Sequence, residues 1–409
     1  MKQLPQELID AIVDGTQDES GNRRKTLLSC SLTSRAFLPR TRKYLFHTVS
    51  FGTGKHFRDF HQICQMSLVD IPRLVKYLCV GNERIEDLYS DEILPYAVAS
   101  FTNMKSIHLR RLDWDDINDA THRALGAHTF ESISFDSCSF RSSALLCAFF
   151  SGSSSTLRKH SFSRSEMLFD DHESFLGPRP EIEELIFYED GAEVFDVKLL
   201  PSKSFSPVIL SSLQVLEVCI NTQEHMDSIQ MFLDSITTRL DRLEVFHVKR
   251  DFSGPINTDW LDTSLILDNV VSLSITLDDC LRPEYSDANF LSWWIENINS
   301  HGSESKFECI LLRVRPNSSL AFPPFYEEDI WEDLAQALAA AKVKTLGAVV
   351  YPTHAQDDDA SYARGQISRN QWAAWYYRIE SWVGIASFDS QGRMYKDSHG
   401  QLGPFASYS

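Results

Sequence analysis

The hexapeptides LQVLEV at residues 213–218 and LDRLEV at residues 240–245 place apolar residues at their first, fourth and sixth positions. The fourth and sixth positions are two residues apart, so both side chains point to one face of a short strand. The same spacing recurs every 25 to 37 residues, and its eleven copies start at Phe46, Val75, Met104, Phe130, Leu157, Ile182, Leu213, Leu240, Val270, Phe307 and Val343. The sequence therefore predicts eleven short strands, of which the Leu157 copy is the weakest.

Segments between these copies have the apolar spacing of amphipathic helices, clearest at residues 91–101, 118–125, 225–237, 287–299 and 327–342. One strand and one helix cannot bury their apolar sides alone. Stacked copies can, with a parallel sheet on one side and helices on the other. Crossovers between such strands are right-handed. We therefore expect an α/β fold of stacked repeats over residues 46–352. The alternative is an ordinary, non-repeating α/β domain whose strands are regularly spaced.

This spacing of strands and helices resembles that of the leucine-rich repeat family, in its irregular form with long helical repeats. The family places Asn or Cys at the eighth position after the first apolar residue, where Cys138 and Asn221 stand here. The resemblance implies a right-handed leucine-rich-repeat-like α/β solenoid that binds a protein target. Strand positions between the apolar ones should face solvent on the concave side and contact that target: His108, Arg110, Ser134, Asp136, Glu217, Glu244, His247, Ser274 and Thr276.

The first 45 residues differ from the repeats. LPQELIDAIVD at residues 4–14 predicts a helix that opens on a proline and has Glu7 in its first turn. A polar segment at residues 14–25 predicts a loop. Helical spacing then resumes from residue 26 through Phe37, and we expect Pro39 to end that helix.

These N-terminal residues resemble the F-box, a three-helix module that docks onto a Skp-family adaptor of cullin–RING ubiquitin ligases. The family usually has Trp where Phe37 stands and a shorter first loop. The resemblance implies that the chain is the substrate-recognition subunit of a Skp–cullin–F-box ligase, with residues 1–45 as the module. The alternative is a non-enzymatic repeat scaffold whose N-terminal helices only cap the solenoid. The implied adaptor-binding residues are Leu4, Pro5, Leu8, Ile12, Leu28, Cys30, Leu32, Arg35 and Phe37.

The C-terminal end changes composition after Pro352. Residues 353–386 combine an acidic loop, which contains three consecutive Asp at 357–359, with an aromatic-striped helix, QWAAWYYRIESWVG, at residues 371–384. We expect this helix to cap the last strand, and the alternative is a partner-binding surface. Residues 387–409 are predicted to be a flexible tail.

Composition excludes several classes of function. The formal charge of -18 disfavours nucleic acid and anionic membranes as partners. Eight cysteines without a C-x-x-C pair indicate free thiols rather than disulfides or a zinc site. No secretion leader, membrane span or catalytic motif is recognisable, so we expect no enzyme activity, cofactor or metal, and a place in the cytoplasm or nucleus. An enzyme with an unrecognised site is the remaining alternative.

Overall fold

The computed structural model describes residues 4–16, 23–81, 94–167, 178–188, 206–220, 222–248, 264–278, 287–301, 307–315, 328–341, 343, 345–350 and 385–387. The fold is α/β, with parallel strands alternating with helices. The chain forms two compact units, one of residues 1–182 and 204–209, the other of residues 183–203 and 210–409. Within the described ranges, no helix is long and apolar enough to span a membrane.

The first unit opens with three α-helices: α1 (Gln6–Gly15), α2 (Arg23–Thr33) and α3 (Leu38–Leu45). The expectation of one helix running from residue 26 through Phe37 is wrong. Helix α2 ends at Thr33, and the Ser34 side chain accepts a hydrogen bond from the Ala36 amide to start a 3-10 turn. Pro39 lies in the first turn of α3 rather than ending a helix, because the first turn needs no amide donor.

Parallel strands of the first unit pair in sequence order: β1 (Thr48–Phe51), β2 (Tyr77–Val80), β3 (Ser106–Arg110), β4 (Ser132–Asp136) and β6 (Lys159–Ser163). A short second sheet joins β5 (Ser139–Phe140) to β7 (Glu166–Met167). The helices that intervene are α4 (Gly54–Met66), α5 (Leu94–Ser100), α6 (Asp119–Gly126) and α7 (Ser143–Ser151). Helices α5, α6 and α7 also contact one another in order.

The turns that leave these strands repeat a backbone conformation. Arg111, Ser137 and Arg164 each have a positive φ, of 50°, 57° and 48°. The amide of Arg111 donates to the Asp136 carbonyl, and that of Ser137 donates to the Ser163 carbonyl, both at 2.7 Å. Consecutive copies therefore share the conformation of the turn as well as the strand.

Cys138, at the family's Asn/Cys position, is buried just after one of these turns. Its Sγ donates to the Leu109 carbonyl at 3.4 Å, and its amide donates to Ser165 Oγ at 3.1 Å. Through its side chain and its amide, this residue thus links three neighbouring copies. Asn221, the other residue at this position, lies outside the described residues.

The second unit has parallel strands β8 (Glu184–Tyr188), β9 (Val215–Cys219), β10 (Leu240–Val248), β11 (Val270–Asp278), β12 (Cys309–Arg315), β13 (Thr345–Val350) and β14 (Ile385–Ser387). Its helices are α8 (Gln223–Ser235), α9 (Asp287–His301) and α10 (Glu328–Ala340). Each of the eleven predicted strands is present, and the Leu157 copy forms β6. The predicted acidic loop and helix at residues 353–384 lie outside the described residues.

Register aligns the copies position by position. The fourth residues of successive copies pair as direct neighbours, Leu216 with Leu243, Leu243 with Leu273, and Leu273 with Ile310. In the first unit the fourth residues form the row Val49, Leu78, Ile107, Ile133 and His160. These residues are buried, so the apolar pattern fixes the core face of every strand.

Candidate protein-binding surfaces

The N-terminal module divides its apolar side chains between an interior and a surface. Ile9, Val13 and Leu27 are buried. The pairs Leu8 with Ile12 and Leu28 with Leu32 are exposed, each pair on one helix face because its members are four residues apart. The exposed fraction reaches 52% for Leu8 and 87% for Leu32. Leaving these leucines in water is unfavourable unless a partner covers them.

The remaining residues of the implied adaptor-binding set are also accessible. Leu4, Pro5 and Arg35 are exposed, whereas Cys30 and Phe37 are half-buried. The set therefore lies directly before α1, on α1 and α2, and on the 3-10 turn, and none of its side chains is fully buried.

A polar cluster that sequence reasoning missed holds α1 to α3. Arg40 donates to both carboxylate oxygens of Asp14, at 2.7 and 2.6 Å, and the Tyr44 hydroxyl donates to Asp14 Oδ1 at 2.8 Å. The hydrogen bonds from Arg40 and Tyr44 hold the pKa of Asp14 below its ordinary value. The ion pair therefore links the C-terminal end of α1 to α3.

The outward face of the first sheet carries the predicted contact residues of β3 and β4. His108 is in register with Ser134, and Arg110 with Asp136. Arg110 Nε donates to Asp136 Oδ2 at 2.8 Å. Burial, followed by the charge of Arg110, lowers the pKa of His108. These four side chains are exposed or half-buried, as expected for a binding face.

In the second unit, the expectation that the contact residues face solvent is wrong for Glu244, His247, Ser274 and Thr276, which are all buried. Glu217 is half-buried. His247 shares a face with Leu243 and Val245, because residues two apart point the same way, so it faces the core. Ser274 and Thr276 have short side chains, and larger ones, among them Glu244, Phe246 and Leu311, flank them in register.

His247 instead makes a buried hydrogen bond with α9. Its Nδ1 donates to the Ile220 carbonyl at 2.8 Å, and its Nε2 accepts from Trp294 Nε1 at 2.9 Å. Burial lowers the pKa of His247 to about 4, so the ring is neutral. The pairing could not be found from spacing, because the two residues are 47 positions apart.

Two cysteine thiols among the described residues lie in surroundings that disfavour ionisation. Burial raises the pKa of the Cys138 thiol to about 12 and that of Cys147 to about 11, which disfavours the nucleophilic thiolate. Across the described ranges, no group of three or more His, Cys, Asp or Glu could hold a metal ion.

Comparison with known proteins finds no family model that matches the chain and no curated protein that matches it.

Proposed function

We propose that the chain is the substrate-recognition subunit of a Skp–cullin–F-box ubiquitin ligase. Residues 1–45 would bind a Skp-family adaptor, and through it a cullin. A right-handed leucine-rich-repeat-like solenoid over residues 46–352 would bind a protein target in the cytoplasm or nucleus. The chain would do no bond chemistry; it would raise the effective concentration of the target near a ubiquitin-charged enzyme.

The exposed leucines of the module are the observation that carries this proposal. A module built only to cap the first strand would gain most by turning its apolar side chains inward. Here one set packs inside and a second set, which includes Leu8 and Leu32, is left on the surface. Such surface apolar residues, positioned on rigid helices, are typical of a docking site.

The repeat part of the proposal is supported by order and register. Neighbouring strands follow sequence order, their fourth positions align, and α5, α6 and α7 contact one another in the same order. Stacked repeats, each touching its neighbours, have these properties.

A scaffold whose N-terminal helices only cap the repeats is the second candidate. Phe46, which directly follows α3, packs its ring 6.3 Å from that of Phe60 in α4. This contact joins the module to the first repeat, as a cap requires. The two candidates differ in whether the adaptor binds.

The test is titration of purified Skp-family adaptor into the intact chain by calorimetry, with two matched variants. Leu8→Asp places a carboxylate in the proposed interface and should weaken binding more than about tenfold, because that charge must be desolvated. Ile63→Asp makes the same change in α4, where the side chain is 51% exposed, and should leave affinity unchanged.

Circular dichroism should be the same for both variants and the wild type. Equal adaptor affinity for Leu8→Asp and wild type, or no adaptor binding by the wild type, would overturn the ligase proposal and favour the scaffold.

A further inference from the structure

Residues 264–269 of the second unit are held by side chains of two helices. This segment directly precedes β11 and forms neither helix nor strand. Three consecutive amides of the segment donate to side chains of α8 and α9: Leu265 to Asn297 Oδ1 at 2.6 Å, Ile266 to Gln230 Oε1 at 2.7 Å, and Leu267 to His301 Nε2 at 2.8 Å. The position of the segment therefore depends on these three acceptors.

One of the three acceptors can change its charge. Asn297 and Gln230 have amide side chains, which do not ionise. His301 has an imidazole, a group that gains a proton between about pH 8 and about pH 5. It is half-buried and is the last residue of α9.

The partners of His301 require one tautomer of the neutral ring. A backbone amide can only donate, so Nε2 accepts from Leu267 and carries no proton. A backbone carbonyl can only accept, so Nδ1 donates to the Asn297 carbonyl, 2.6 Å away. A proton added at Nε2 would point at the Leu267 amide, which is itself a donor, and that hydrogen bond would be lost.

The other hydrogen bond of the ring survives protonation. Nδ1 keeps its proton, and its bond to the Asn297 carbonyl becomes charge-assisted. The C-terminal end of a helix also favours a positive charge, because its last carbonyls carry partial negative charge. A protonated His301 therefore stays bound to α9 while it gives up the segment.

We propose that His301 is a pH-sensitive switch, which holds the Leu267 amide when its ring is neutral and releases that amide when its ring is protonated. The inference goes beyond the ligase proposal and does not depend on it. Leu265 and Leu267 are buried, and this burial opposes release. Protonation therefore makes the segment open more often without unfolding the unit, and each opening exposes apolar surface.

The charged groups around the segment belong to types that keep their charge across this pH range. Among the described residues they are Asp234 in α8, Asp268 in the segment, Glu296 in α9, and Glu308, which forms an ion pair with Arg239 at 3.8 Å. Glu308 follows Phe307, whose ring lies 5.9 Å from that of His301. These carboxylates and the guanidinium give no competing change of charge between about pH 8 and about pH 5.

His247 is a second histidine bonded to α9, through Trp294. Burial lowers the pKa of His247 to about 4, so its ring is still mainly neutral at about pH 5. The two histidines therefore respond in different pH ranges.

Hydrogen–deuterium exchange of the intact chain, resolved to single amides by fragmentation in the mass spectrometer, tests the switch at about pH 8 and about pH 5. Protection factors remove the intrinsic effect of pH on exchange. Protection of the Leu267 amide should fall roughly fivefold at the lower pH, because one hydrogen bond is lost. Equal protection at the two pH values would overturn the inference.

His301→Gln supplies a variant that keeps an acceptor and a donor but cannot be protonated. Its protection at Leu267 should change less than about twofold between the two pH values. A fall as large as that of the wild type would show that acid loosens the segment by another route, and would remove the role assigned to His301.

His301→Leu removes the acceptor altogether. The Leu267 amide should then exchange rapidly at both pH values, at least as fast as in the wild type at the lower pH. Protection equal to that of the wild type at the higher pH would show that the histidine does not hold this amide. The adaptor is absent from every sample, so failure here leaves the ligase proposal untouched.

Discussion

His160 shows how one residue can obscure a repeat in the sequence and still complete it in the fold. It occupies the fourth position of the Leu157 copy, where the other copies have apolar residues. Its ring lies 5.3 Å from Phe135, 5.2 Å from Phe150 and 4.1 Å from Phe162, and its Nδ1 donates to the Ile133 carbonyl at 3.1 Å. A neutral imidazole therefore replaces an aliphatic side chain in the core.

Burial makes His160 a source of acid sensitivity. Its pKa falls from 6.5 to about 4 in the folded chain, so the unfolded chain binds the proton more readily between these values. The stability that the neutral ring contributes is fully present above pH 6.5. As pH falls toward 4, protonation of the unfolded chain lowers the free energy of unfolding by at most roughly 3 kcal/mol. His160→Leu should flatten the decline of unfolding free energy over this range in denaturant titrations.

The control for this experiment is His56→Leu, because His56 is exposed on α4. This variant should retain the wild-type slope of stability against pH. An unchanged slope in His160→Leu would show that the buried ring does not couple folding to protonation.

At the scale of the element, β3 alternates buried and outward-facing side chains. Ile107 is completely buried, while its neighbour His108 faces outward and is half-buried. Ile107→Ala should lower the free energy of unfolding by about 3 kcal/mol, since it removes buried methyl groups and leaves a cavity. His108→Ala should cost less than about 1 kcal/mol. Equal losses, measured by urea titration, would contradict the assigned faces of β3.

Close approach of two helices gives a second prediction at this scale. A Cβ at Gly152, after α7, would overlap the carbonyl oxygen of Gly126 at the end of α6. Gly152→Ala should therefore lower stability by about 1–3 kcal/mol. Gly15→Ala in α1 meets nothing within 4 Å and should be neutral or slightly stabilising. Thermal melting of both variants checks the difference, and equal melting temperatures would contradict it.

Element type and order followed from the sequence because apolar periodicity reports directly on burial. The spacing placed the eleven strands correctly, including β6 despite its histidine. The prediction of which face a residue lies on failed where a polar residue could belong to either face, as with His247 in β10. It also failed at Ser274 and Thr276, since burial on the outward face depends on neighbouring strands, which the local pattern does not record.

The candidate sites divide in the same way. The sequence pointed to the leucines of the N-terminal module only through their resemblance to the F-box, and the structure shows that they are exposed. The Asp14–Arg40 ion pair and the hydrogen bond from Trp294 to His247 were not foreseen, because each joins residues 26 or more positions apart. Such long-range polar pairs have no periodic signature.

For the whole molecule, the two proposed interfaces differ in physical character. The module offers aliphatic side chains, whereas the outward face of the first sheet offers charges and hydroxyls. Adaptor affinity should therefore change less than about threefold between about 0.1 M and about 1 M salt, because apolar burial is not screened. Calorimetric titration of adaptor at both concentrations measures this. A steep loss of affinity would assign the contact to charged residues instead of the leucines.

Hydrogen–deuterium exchange of the intact chain, with and without saturating Skp-family adaptor, tests the central claim most directly. The account predicts slower exchange in α1 and α2, whose exposed leucines would be covered, and unchanged exchange in β3. Unchanged exchange of both helices at saturating adaptor would contradict the account and leave the N-terminal helices as a cap on the first repeat.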